Sequence, residues 1–228
     1  MTGRRGREAV QTEMKVGSRG QRAAAFGFCF EQLLKGGLRG VWVRGAAPSG
    51  GAVWAANHHS WWDGFVANAV LLHAGHHPSL VMDADNLRQF SFLRDLGALP
   101  ADQPRAALRA LHEGRTVIVF PESELRPSGP LGPLAPGASW LARRSGVPLA
   151  IAATRVVLRG QQKPEAYVDI SVSAHGEVSE PLAGSLQRLD AELAERDPRE
   201  PLPGFSLVVP GRSSWDERIT TVSGWLRR

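Results

Sequence analysis

The stretch AVWAANHHSWWDGFVANAVLLHAG, residues 52–75, changes its periodicity half-way along. Ala52 to Asn57 is short, apolar and uncharged, as a strand buried on both faces should be. From Ser60 onward the spacing is helical, with Phe65, Ala69 and Leu72 on one side. Ser60 stands three residues before Asp63, the pattern of a capping box with Asp in place of Glu. A buried strand that runs through a short loop into a helix is the repeating unit of an α/β fold.

The same alternation extends on both sides. GVWVRG (40–45), PSLVMDA (78–84), TVIVFPES (116–123), VPLAIAATRVVL (147–158) and AYVDISVSAHGEV (166–178) read as strands. LRQFSFLRDLGAL (87–99), RAALRALHEGR (105–115), LAPGASWLARRSG (134–146) and SLQRLDAELAERD (185–197) read as helices, two of them closed by Gly114 and Gly146. The expectation is a single α/β domain with a mixed, largely parallel sheet flanked by helices. RAAAFGFCFEQLLKGGL (22–38) predicts an N-terminal amphipathic helix that ends at Gly36 and Gly37. Residues 1–21 read as a basic flexible arm, 22–200 as the domain, and 201–228 as a C-terminal tail packed on it.

The 228 residues are 43% hydrophobic and 21% charged, which fits one folded domain rather than a disordered chain. Cys29 is the single cysteine, so no disulfide forms within the chain. It lies in an apolar run and reads as a small buried hydrophobe. No run of about 18 apolar residues is present to span a bilayer, and the polar start does not resemble a signal peptide. The expected location is therefore cytoplasmic. The net charge of +5 draws the chain toward polyanions, whether nucleic acid, anionic lipid or phosphorylated substrate.

AANHHSWWDGF (55–65) is the chemically informative segment. His58 precedes the helix, and Asp63 lies in its first turn. A loop histidine can fold back so that the carboxylate holds one ring nitrogen and leaves the other free to accept a proton. His59, four residues before Asp63, is a second candidate. Such a pair deprotonates a hydroxyl for attack on an activated carbonyl. No Gly-x-Ser-x-Gly elbow is present, which favours direct attack by a bound alcohol over an acyl-enzyme. Two other readings stand beside this one. A metal-dependent hydrolase would use His58, His59 and Asp63, though no cysteine cluster or second carboxylate completes a ligand set around them or around HAGHH at 73–77. A basic nucleic-acid-binding module would need an aromatic RNA platform or a helix-turn-helix, and neither is seen.

Asn57-His58-His59-Ser60-Trp61-Trp62-Asp63 resembles the Asn-His-x-Ser-x-x-Asp signature of the glycerolipid acyltransferase superfamily, which includes glycerol-3-phosphate and 1-acylglycerol-3-phosphate acyltransferases. Val119-Phe120-Pro121-Glu122-Ser123 resembles its Phe-Pro-Glu-Gly block, and Gly146-Val147-Pro148-Leu149-Ala150 its late Val-Pro-Ile/Leu strand. The resemblance covers about residues 38–175. It implies that His58 is the general base and Asp63 its orienting carboxylate. Asn57, Ser60, Pro121, Glu122, Arg126, Arg105, Val147 and Pro148 are then the substrate-binding residues. It implies an acyl-CoA or acyl carrier protein donor, a lipid acceptor, no cofactor and no metal. With the basic charge it also implies peripheral contact with an anionic membrane, on the inner face of the cell membrane, and no nucleic acid. The sequence departs from the pattern twice. Ser123 stands where the family has Gly, with Arg126 one position late. Gly97–Asp102 lacks the middle block's Arg, for which Arg105 is a loose substitute.

Overall fold

The computed structural model describes residues 31–173 and 176–212. Eight strands form one sheet in the order β4-β3-β5-β2-β6-β7-β1-β8. They are β1 (Gly40–Arg44), β2 (Val53–Ala56), β3 (Pro78–Met82), β4 (Leu99–Pro100), β5 (Thr116–Val119), β6 (Leu149–Val157), β7 (Glu165–Ser173) and β8 (Ser206–Pro210). From β4 to β6 neighbouring strands are parallel. β7 runs antiparallel to β6, β1 parallel to β7, and β8 antiparallel to β1. The sheet is mixed and largely parallel, as the alternating pattern predicts.

Both faces are covered, and the period of two along each strand divides the core. Trp54, Ala56, Ile118, Ala150 and Ala152 face one layer with α2 (Asp63–His73), whose Val66, Ala67, Val70 and Leu71 are buried. Val53, Ala55, Val117, Val119, Leu149 and Ile151 face the other. That layer takes Ala107, Ala110 and Leu111 of α4 (Pro104–His112), Ala138, Leu141 and Ala142 of α5 (Gly137–Ser145), and Leu182 and Leu186 of α6 (Ser179–Glu195). α4 opens with Pro104 in its first turn, where a missing N–H costs nothing. α5 closes on Gly146, whose φ of 72° is the left-handed cap expected of a glycine.

Several elements differ from the sequence reading. Of the three residues on one side of α2, Phe65 and Ala69 are partly buried against the core while Leu72 is exposed. Residues 87–99 are not one helix. Asp83 caps α3 (Ala84–Gln89) by accepting from the N–H groups of Asp85 and Asn86, the helix breaks at Phe90, and a 3-10 turn (Ser91–Arg94) follows. α6 starts at Ser179, six residues before the predicted start. Residues 206–210 form an edge strand on β1. Of the expected N-terminal helix, residues 31–37 (α1) are helical, and a side chain at Gly37 would run into the Trp62 ring. The arm, Cys29 and the end of the tail lie outside the described residues.

The connection from β2 through α2 leads to β3, past β5. The connection from β5 through α5 leads to β6, on the other side of β2. The strand order therefore reverses between β5 and β2. Open α/β sheets bind ligands in the crevice at the carboxyl ends of such strands.

Candidate active site

His58 follows β2 at that crevice. Its Nδ1 lies 3.0 Å from Asp63 Oδ2. The same oxygen accepts from the backbone N–H groups of His59 and Ser60, each at 2.8 Å. Asp63 thus serves half of a capping box. Ser60 Oγ accepts from Trp62 N rather than from Asp63 N, so the reciprocal half is displaced by one residue. Asp63 is only 2% exposed, and its Oδ2 is an acceptor for fixed N–H groups. A carboxylate so held aims the His58 Nδ1–H and leaves Nε2 as the unprotonated nitrogen. Among the described residues no protein group pairs with His58 Nε2.

The loop after β5 holds the peptide of His58 from both sides. His58 N–H donates to Glu122 Oε2 at 2.8 Å, and Arg126 N–H donates to His58 O at 2.8 Å. The Phe120 ring stacks on the imidazole at 4.4 Å between centroids. Glu122 is buried, and its other oxygen accepts from Gly132 N at 3.0 Å. A Cβ at Gly132 would come within 2.8 Å of Arg126 Cδ and 3.2 Å of Glu122 Oε1, so a larger residue would push these side chains aside. Arg126 Nη2 reaches Glu124 Oε1 at 2.5 Å. A small polar cavity beside these groups is lined by Asn57, His59, Glu122, Arg126, Gly129 and Arg155.

Asn57 clamps β6: its Oδ1 accepts from Thr154 N at 2.8 Å, and its Nδ2 donates to Thr154 O at 3.0 Å. The His59 residue is partly buried, with its side chain 5% exposed, and its Nε2 accepts from Val156 N at 3.1 Å. Burial lowers the His59 pKa from its usual 6.5, helped by the Arg155 and His58 charges and opposed by Asp63 and Glu122. A neutral histidine whose Nε2 is taken by a backbone N–H has no free lone pair for a substrate proton or a metal. Among the described residues no group of three or more His, Cys, Asp or Glu is placed to hold a metal ion.

The structure thus brings Asn57, His58, Ser60, Asp63, Pro121, Glu122 and Arg126 to one edge of the sheet. It does not bring Val147, Pro148 or Arg105 to His58. Val147 and Pro148 precede β6 at the opposite edge, where Pro148 O accepts from Val53 N, at the far end of β2. Arg105 is exposed in the first turn of α4, after β4, three strands from β2.

The acyltransferase family model matches residues 40–153, half of the chain, and this span carries His58, Asp63 and Glu122. The chain belongs to the acyltransferase family. Among solved structures it is similar to the 1-acyl-sn-glycerophosphate (LPA) acyltransferase PlsC from Thermotoga maritima. The TM-score is 0.56 at 18% identity, over 80% of this chain and 83% of that one, a likeness of fold. No curated protein sequence matches it.

In this acyltransferase the contribution of β6 comes from its carboxyl end. Thr154, Arg155 and Val156 meet Asn57 and His59, and the sequence reading missed all three. Arg155 left a signal: a lone charge in an apolar strand. It is 2% exposed, forks onto both oxygens of Asp190 in α6 at 2.6 and 2.7 Å, and gives Nη2 to Gly129 O. Phe120 and Gly132 left no signal beyond their neighbours.

Proposed function

We propose that this acyltransferase moves a fatty acyl group from an acyl-CoA or acyl carrier protein thioester to the hydroxyl of a lipid or glycolipid. The hydroxyl gives its proton to His58 Nε2 as its oxygen forms the ester bond to the thioester carbonyl carbon. The carbon–sulfur bond then breaks, and the thiolate leaves with the proton held by His58. Asp63 orients the ring and steadies the imidazolium. No cofactor or metal is needed. The observation that carries this reading is the held histidine: Nδ1 on Asp63, peptide clamped by Glu122 and Arg126, Nε2 open. Both Glu122 oxygens are taken by backbone N–H groups, so Glu122 acts by holding the loop. Arg126, paired with the exposed Glu124 of the same loop, is the cation that would turn to the acceptor head group. With Arg105 distant, the acceptor is either lysophosphatidate-like, held by Arg126, or a non-phosphorylated lipid alcohol.

With a lipid acceptor the protein would work at a bilayer surface, and we place it on the inner face of the cell membrane. No helix of the described residues is long and apolar enough to cross a membrane. Trp61, Phe90, Phe92, Leu125 and Leu158 are exposed, and all follow strands whose carboxyl ends lie at the His58 edge. With the +5 charge they favour reversible docking of that edge on an anionic membrane.

The test is thiol release by the purified protein. It is run with acyl-CoA and acylated acyl carrier protein, each against lysophosphatidate and non-phosphorylated lipid alcohols. Release that requires an acceptor and yields its ester is expected. Release without any acceptor, with acyl groups accumulating on the protein, would overturn direct attack.

A further inference from the structure

Asp63 carries its three hydrogen bonds on Oδ2, while Oδ1 is buried and has no hydrogen-bond partner within the described residues. His59 Nδ1 lies 3.7 Å from this oxygen. The tautomer of His59 follows from its other contacts. Val156 N–H can only donate, so His59 Nε2 must accept, and the proton of the neutral ring is on Nδ1. Asn57 Nδ2 lies 3.2 Å from that Nδ1, but Thr154 fixes the Asn57 amide with its nitrogen on this side. With that tautomer two donors face one another there, and the Nδ1–H is left facing Asp63 Oδ1. The charged groups around the ring are Asp63 from α2, His58 from the same loop, Arg155 from β6, and Glu122 from the loop after β5. Arg126 from that loop shares the cavity.

We propose that His59 is a positioning residue for acyl transfer: its Nδ1–H, facing the free oxygen of Asp63 across 3.7 Å, draws on that carboxylate's charge and so sets how strongly it holds the proton on His58. The inference rests on His58 as the general base. Asp63 is then shared between two imidazoles, one per oxygen. Only His58 has its second nitrogen open, so one ring reacts and the other, tied to β6, tunes it. If the His59 donor is lost, more of the Asp63 charge falls on His58, and the His58 imidazolium is stabilised.

Two substitutions separate the tuning from simple packing. In His59→Gln the side-chain amide reaches the old Nε2 position and accepts from Val156 N, but nothing donates at Nδ1. In His59→Asn the amide sits at the Nδ1 position and donates to Asp63, while Val156 N loses its acceptor. The titration of His58 is followed by NMR of labelled histidines without substrate, and the pH dependence of kcat/KM is measured beside it. His59→Gln should raise the His58 pKa by about 0.5–1 unit and move the acid limb of kcat/KM up with it. His59→Asn should leave both within about 0.3 unit while lowering the melting temperature. In the wild type, the imidazole nitrogen shifts should report His59 as the Nδ1–H tautomer, a measurement that needs no variant. An Nε2–H tautomer, or folded variants that move the His58 titration equally or not at all, would overturn the proposal. A shifted titration without a shifted activity limb would uphold the positioning of His58 and overturn its assignment as base.

Discussion

Ser123 holds a φ of 65°, in the left-handed region that a residue with a Cβ enters at a cost of roughly 1–2 kcal/mol. The acyltransferase pattern has Gly at this place, and the turn explains the glycine: Ser123 N–H closes onto Phe120 O as the chain leaves β5. Ser123→Gly should therefore stabilise the protein by about 0.5–1 kcal/mol, after allowing for the entropy of glycine in the unfolded chain. Thermal unfolding will show it; a lower melting temperature would mean that the serine side chain contributes more than its strain costs. Glu122 is the second case. Two backbone N–H groups converge on its oxygens, and a Gln can accept only one of them. Glu122→Gln should cost about 1–3 kcal/mol and free the His58 peptide, so kcat should fall with it. Arg126→Ala should raise the acceptor KM more than the donor KM, since a charge-assisted contact to the head group is lost. A rise confined to the donor KM would assign Arg126 to the carrier phosphate instead. At this scale the sequence showed which residue types cluster, because the motif spacing is local. It could not show that the Glu122 carboxylate is saturated by backbone, because Gly132 arrives from ten residues further on.

Element positions were legible where periodicity is strong and illegible where a single cap decides. β2, β5 and most of β6 announce themselves as largely apolar runs buried on both faces. The 87–99 segment does not, because the Asp83 cap starts a helix earlier than the apolar run suggests and the break at Phe90 ends it. The contacts of β6 with Asn57 and His59 lie at the end away from Val147 and Pro148. Val147 and Pro148 carry the recognisable motif, but a parallel strand presents its carboxyl end to the crevice, and Thr154–Val156 lie there. Arg155 ties that end to α6 through Asp190. Asp190→Ala leaves a buried guanidinium with Gly129 O alone. It should cost about 2 kcal/mol, below the value for a fully buried pair because Asp190 is half exposed. Denaturant unfolding measures this, and an unchanged midpoint would show that solvent replaces Asp190. His59 adds an acid dependence to the same junction. Its folded pKa is lowered below 6.5, so the unfolded chain binds its proton first. Its contribution is present above pH 6.5 and is lost as pH falls below it. The His59→Gln variant should therefore lose less stability between pH 6.5 and 5 than the wild type does.

The sheet reverses its strand order between β5 and β2, and this brings together a histidine after one strand and a glutamate after the other, 64 residues apart. The alternation of strands and helices predicted a largely parallel sheet, but not its order, since β1 and β2 are neighbours in sequence yet have two strands between them. Exposed aromatic residues on the His58 edge were equally invisible: Trp61 is 61% exposed, although its sequence surroundings suit a core as well as a surface. Trp61→Ser combined with Phe92→Ser should weaken sedimentation with anionic vesicles by about tenfold or more, through lost apolar burial. Undiminished binding by the folded double variant would move the membrane contact elsewhere on the protein. The most direct test of His58 as the base is the turnover of His58→Ala with the acyl donor and acceptor that the wild type uses, in protein shown to be folded. Turnover should fall by about 100-fold or more across the pH range, as expected when a general base is removed; turnover equal to the wild type would contradict the role of His58.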